Sequence, residues 1–192
     1  MLAIIVLLSA TTPEQCRERF PARPPESARE YFNAFDQLFV DAGTARNVDP
    51  ALLKAIAYCE TRLDPCAVSP VGARGLLQFM PATFDYVASA AVAHDPFNPA
   101  DSIRAGSLYV ALLTNYWRGD LEAIVASYNA GPTAVMRARK RGRSIPAIDE
   151  TIGYVACVTQ THAWLRRPLG APRAEEPGLF SSITTLLGSL SR

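Results

Sequence analysis

The chain has 192 residues, of which 49% are hydrophobic, with 19 lysines and arginines against 18 aspartates and glutamates. That length suits one domain with a single sizeable core. A formal net charge of +1 lacks the marked basic excess of a dedicated nucleic-acid binder, and none is expected as a partner.

Met1 to Ala10 are almost wholly apolar, without a basic start, and too few to span a bilayer as a helix. They read as the hydrophobic part of an export signal, and Pro13-Glu14-Gln15 before Cys16 is not a lipidation box. Residues 11–26 carry Pro13, Pro21, Pro24 and Pro25 among charges, a composition expected to form a tether without helix or core. Residues 1–26 are thus read as signal and tether, 27–167 as the domain, and 168–192 as a linker and C-terminal amphipathic helix.

Within the domain, Tyr31, Phe35, Leu38, Phe39 and Ala42 make a helical stripe that ends near Gly43. Asp49-Pro50 then supplies an N-cap and a first-turn proline for a helix with Leu53, Ile56, Ala57 and Glu60 at i, i+3, i+4, i+7 spacing. Glu60 therefore places a carboxylate on the buried face. Such an acid is either paired, with Arg62 or Arg74 or a neighbouring helix end, or used; burial raises its pKa and equips it as a general acid.

A loop from Asp64 to Ala73 follows, then a short helical segment with Leu76, Leu77 and Met80, and a helix from Pro81 with Phe84 and Val87. Asn98-Pro99 opens a helix through Ile103, Gly106, Val110 and Trp117, in which Gly106 is expected to admit the close approach of another helix. Asp120 caps a helix with Leu121, Ile124 and Tyr128, stopped by Gly131-Pro132. Arg137, Arg139, Lys140, Arg141 and Arg143 read as a solvated helix end and loop, or as a contact for anionic polymer. The last core helix runs from about Asp149 to Leu165, and no segment alternates like a strand, so the fold class is all-α. Beyond it, Leu179, Ile183, Leu186, Leu187 and Leu190 repeat at helical spacing, for a helix docked on the domain or left partly disordered, or for one that meets a partner or membrane.

Four cysteines, an even number, suit disulfides in an exported protein, or four reduced thiols in a cytoplasmic one. Cys59 and Cys66 bracket the end of the Glu60 helix and are the first expected pair, which leaves Cys16 with Cys157. Neither histidine has metal-ligand spacing, and no metal or cofactor is expected.

Three motifs stand in order: Cys59-Glu60-Thr61 through Ala67-Val68-Ser69, Gly72-Ala73-Arg74-Gly75-Leu76-Leu77-Gln78 and Met80-Pro81-Ala82-Thr83; Ala126-Ser127-Tyr128-Asn129-Ala130-Gly131; and Glu150-Thr151-Ile152-Gly153-Tyr154-Val155. Together they resemble the soluble lytic transglycosylase family, which is goose-type-lysozyme-like. Thr61 stands where serine is usual and Leu77 where methionine is usual, which bears on fine substrate positioning. The resemblance implies a lysozyme-like helical fold with a groove, peptidoglycan glycan strands as substrate, and cleavage between N-acetylmuramic acid and N-acetylglucosamine with a 1,6-anhydro product. Glu60 would be acid and then base. Ser69 and Gln78 would bond the N-acetyl group and sugar hydroxyls, and Met80 would wall the groove. Tyr128 and Asn129 would face it, with Tyr128 bonded to Glu60 or substrate, and Glu150 and Tyr154 would lie at the groove as well. Read from position alone, Met80 also fits a core residue, Ser69 a turn, Tyr154 a satisfied core tyrosine, and Glu150 a carboxylate stabilised at a helix start.

Most glycosidases use two carboxylates, and the second is hard to nominate here: Asp64 lies beyond Glu60, but Pro65 leads it away. The competing functions are a hydrolytic muramidase on the same fold and an idle glycan-binding module. The expected setting is the periplasm or cell envelope, as a monomer, with secretion or envelope machinery as possible company.

Overall fold

The computed structural model describes residues 11–20 and 32–166. The apolar start, most of the tether's prolines and the C-terminal linker and helix lie outside the described residues. Eight helices are present among the described residues: α1 Pro13–Arg19, α2 Asp36–Arg46, α3 Pro50–Thr61, α4 Pro81–Ala91, α5 Pro99–Tyr116, α6 Leu121–Ala130, α7 Pro132–Lys140 and α8 Asp149–Leu165. The only β pairing among those residues is two isolated antiparallel bridges, Val68 with Arg74 and Arg74 with Phe79.

Helix α3 is the axis of the domain. Asp49 caps it by accepting from the Ala51 amide, and Pro50 occupies the first turn, where its missing N–H costs nothing. Every residue from Leu52 to Tyr58 is buried, so the helix is sheathed all round rather than along a single stripe. It packs against α2, α5 and α8, while α6 packs against α5, α7 and α8. Leu53 and Ile56 are fully buried among Phe39, Ile103, Val110 and Val158. Each such side chain contributes about 1.5–3 kcal/mol relative to exposure.

Arg62 and Leu63, both in the left-handed region at φ 57° and 69°, end α3 and turn the chain away. Asp64 leaves the helix axis with it: its carboxylate pairs with Arg17 and accepts from the Cys66 amide. Residues 75–78 form turns rather than the expected short helix, and Met80 becomes the N-cap residue of α4. Gly75 is required here, since a Cβ would lie 1.8 Å from the Pro96 carbonyl oxygen and its φ is +75°. Gly106 does admit a close neighbour, but it is the Leu77 side chain, 2.4 Å from where a Cβ would be, and not another helix.

Two further sequence expectations are corrected. Part of the supposed tether is helix α1, because Pro13 falls at the first helical position and Thr12 and Gln15 form a reciprocal capping box. Its Cys16 is fully buried with Cys66 and Phe97. The disulfides accordingly join Cys16 to Cys66 and Cys59 to Cys157, and not Cys59 to Cys66 or Cys16 to Cys157. The turn at Arg62 and Leu63 carries Cys66 towards α1, while the packing of α3 on α8 brings Cys157 within 6.1 Å of Cys59, Cα to Cα. Among the described residues no helix is long and apolar enough to cross a membrane.

Candidate active site

The end of α3, the loop after it, the end of α6 and the start of α8 surround a cavity of about 380 Å³. Glu60, Ser69, Gln78, Met80, Tyr128, Asn129 and Glu150 all line it. Seven of the eight residues singled out from the sequence are thereby brought together.

Glu60 is the penultimate residue of α3, partly buried, and it lines the cavity. Burial pushes its carboxyl up to about 8; the Tyr154 hydroxyl opposes that shift, and the charge of Glu150 adds to it. The carbonyl end of the helix disfavours a carboxylate in the same direction. No ion pair relieves it: Arg62 lies over the Tyr58 ring at 4.5 Å, and Arg74 forms no ion pair with it. Of the two readings of a buried acid, the structure selects the unpaired one.

The remaining groups divide by what their polar atoms are already doing. Gln78 sits at φ 47°, an uncommon conformation held by the fold, and its Nε2 donates to the carbonyls of Ala67 and Gly75. Both amide protons are committed, so its oxygen is the end left for the cavity. Ser69 Oγ accepts from the Ala73 amide, which closes a tight turn and leaves the hydroxyl proton to donate. Ser69 is thus both turn and cavity wall. Met80 is 43% exposed, which excludes a core role.

Tyr128 does not donate to Glu60; its hydroxyl donates to the Leu77 carbonyl at 2.9 Å, and its ring packs on Phe79 and Tyr109. Tyr154 does not line the cavity. It is buried, its hydroxyl makes no regular hydrogen bond, and the group it faces is the Glu60 carboxyl. Thr61, in place of serine, donates to the Ala57 and Leu76 carbonyls, tying the end of α3 to the cavity loop through a hydroxyl that either residue supplies.

The profile of the transglycosylase SLT domain matches residues 37–149, more than half of the chain. The chain belongs to this family. It is 28% identical over 177 residues to the soluble lytic murein transglycosylase of Salmonella typhimurium, covering 84% of this chain and 26% of that protein. Among solved structures it resembles an inactive glutamate-to-glutamine mutant of lytic transglycosylase Slt from Pseudomonas aeruginosa, with a TM-score of 0.65, 25% identity and coverage of 79% of this chain and 27% of that one. It also resembles the 70-kDa soluble lytic transglycosylase of Escherichia coli, with a TM-score of 0.64, 26% identity and coverage of 79% and 25%. The chain therefore spans about a quarter of the length of the relatives it matches.

Sequence reasoning left several walls of this SLT domain's cavity unassigned, notably Thr83, Tyr109 and Phe79. Thr83 stands inside the Met80-Pro81-Ala82-Thr83 motif and was legible there. Tyr109 lies mid-helix on α5 with no motif around it, so only the packing of α5 against α4 and α6 brings it to the cavity.

The Glu60 geometry has a thermodynamic signature. Between an unfolded value of 4.5 and a folded value of about 8, the folded SLT domain keeps a proton that the unfolded chain has released. Stability then falls as pH rises through that window, since the native state binds more protons. Glu60→Gln does not titrate. Its melting temperature should match wild type near pH 4 and exceed it by a widening margin up to pH 8; thermal melts across pH 4–9 that show a constant margin would contradict the raised value.

Proposed function

We propose that this chain is a peptidoglycan lytic transglycosylase, cleaving the β-1,4 bond from N-acetylmuramic acid to N-acetylglucosamine and closing a 1,6-anhydro ring on the muramic acid. The carrying observation is Glu60, buried without an ion pair on the wall of a cavity that Ser69, Gln78 and Asn129 also line, where burial raises its carboxyl to about 8. Family membership and the similarity to lytic transglycosylases support the substrate class. The inactivity of a glutamate-to-glutamine mutant of the Pseudomonas enzyme supports a glutamate as the acid.

In the first step the Glu60 hydroxyl gives its proton to the glycosidic oxygen as the C1–O bond breaks and positive charge grows at C1 of the muramyl sugar. The N-acetyl oxygen of that sugar shields C1, while the acetamido N–H donates to the Gln78 oxygen and the Ser69 hydroxyl donates to a sugar oxygen. In the second step the Glu60 carboxylate takes the proton of the C6 hydroxyl as O6 bonds to C1. Glu60 ends protonated, no water is consumed, and the intramolecular attack avoids the entropy of recruiting a second reactant. Asp64 is held by Arg17 and is no second catalytic carboxylate. Glu150, exposed at a helix start and bonded to Asn129, acts on substrate and on Glu60 by its charge rather than as a nucleophile. The two disulfides support an exported protein working in the cell envelope.

The experiment is product analysis. Digestion of purified sacculi should release muropeptides ending in 1,6-anhydro-N-acetylmuramic acid, one water lighter than hydrolysis products and inert to borohydride. A predominance of borohydride-reduced, full-mass ends would make the chain a muramidase, and binding without release would make it a glycan-binding module.

A further inference from the structure

Thr151, at the start of α8, is 1% exposed, and its hydroxyl does something unusual for a helical threonine in this chain. Thr114 and Thr159 donate back to the carbonyl four residues earlier, at 2.8 and 2.7 Å. Thr151 sits in the first turn, where no intrahelical carbonyl is available four residues back, and donates across to Asn129 Oδ1 on α6, at 2.8 Å. The other end of that amide, Nδ2, donates to Glu150 Oε1 at 3.3 Å.

We propose that Thr151 is a positioning residue, whose buried hydroxyl fixes the Asn129 amide in the orientation that holds the Glu150 carboxylate at the wall of the cavity shared with Glu60. The two ends of an asparagine amide are nearly the same size, so shape alone does not choose between them. Hydrogen bonding does. In the observed orientation the hydroxyl finds an acceptor and the carboxylate a donor. Turned by a half rotation, Asn129 would set Oδ1 against Glu150 and strip the buried Thr151 proton of its acceptor, which is disfavoured on both counts. Glu150 is exposed, so without the amide it has solvent to swing into.

The consequence falls on Glu60, in the role given it above. The titratable groups facing it are Tyr154 and Glu150 from α8, and Tyr128 from α6. Among them, the charge of Glu150 favours the protonated acid and the Tyr154 hydroxyl opposes it. A threonine that touches neither Glu60 nor the cavity would thus help set the pH range over which the acid keeps its proton.

The test needs no turnover. The Glu60 carboxyl is followed by 13C NMR titration of glutamate-labelled protein, assigned with Glu60→Gln, in wild type, Thr151→Ser and Thr151→Val. Thr151→Ser should titrate with wild type, whereas Thr151→Val should lower the Glu60 midpoint by about one unit, the scale of losing one nearby charge. Glu150→Gln should lower it equally, and adding Thr151→Val to Glu150→Gln should then change nothing. If Thr151→Val folds poorly, Asn129→Ala must give the same drop. An unshifted midpoint in Thr151→Val or Asn129→Ala, or a shift that persists in the Glu150→Gln background, overturns the proposal. A failure of the transglycosylase reading would show instead in the sacculus digest, with this titration unaffected.

Discussion

Glu60→Gln is expected to abolish release of soluble muropeptides from sacculi while leaving the fold in place. The amide is close to the acid in size but has no proton to deliver to a glycosidic oxygen. A positioned general acid is worth about 10²–10⁴ in rate, and the same group returns as base, so a loss of at least about a thousandfold is expected. Circular dichroism should show an unchanged helical spectrum, because Glu60 makes no ion pair that the fold would miss. Stability should rise at neutral pH, as is common where an acid is kept strained for chemistry. Retention of more than about a tenth of wild-type turnover would move the acid role elsewhere, with Glu150 the next carboxylate on the cavity wall.

Much of this arrangement was legible in the chain. Asp49-Pro50 and Asn98-Pro99 announce α3 and α5 because capping is local chemistry, decided by the side chain and the next two amides. The position of Glu60 on α3 follows from the helical period, and the order of the three motifs points to one cavity. Local chemistry is present at α1 too: Thr12-Pro13-Glu14-Gln15 reads as a capping box with a first-turn proline, although the surrounding prolines suggest a tether. What the sequence cannot carry is contact between distant segments. The cysteine pairing depends on which way Arg62 and Leu63 turn the chain. The Tyr128 proton goes to Leu77 because the cavity loop passes beneath it, and Thr151 finds Asn129 because α6 packs on α8. No spacing encodes these.

The Cys59–Cys157 bond should have the second-largest effect. It spans 98 positions and staples α3 to α8, beside Glu60 on one helix and one turn from Tyr154 on the other. In the chain-entropy model a loop of that length stabilises by roughly 4–5 kcal/mol. A domain holds only about 5–15 kcal/mol in all, so Cys59→Ala with Cys157→Ala should lower the melting temperature by about 8–20 °C at this size. Activity should fall even where the variant stays folded, because the same helix pair sets Glu60 against Tyr154. The Cys16–Cys66 bond anchors only the short helix α1, which the Arg17–Asp64 pair also holds, so Cys16→Ala with Cys66→Ala should cost less than the first pair. Peptide mapping without reduction should recover Cys16 linked to Cys66 and Cys59 linked to Cys157. A Cys59–Cys66 peptide would reject this pairing, and equal melting temperatures for the two double variants would mean that α1 belongs to the same cooperative unit as the core.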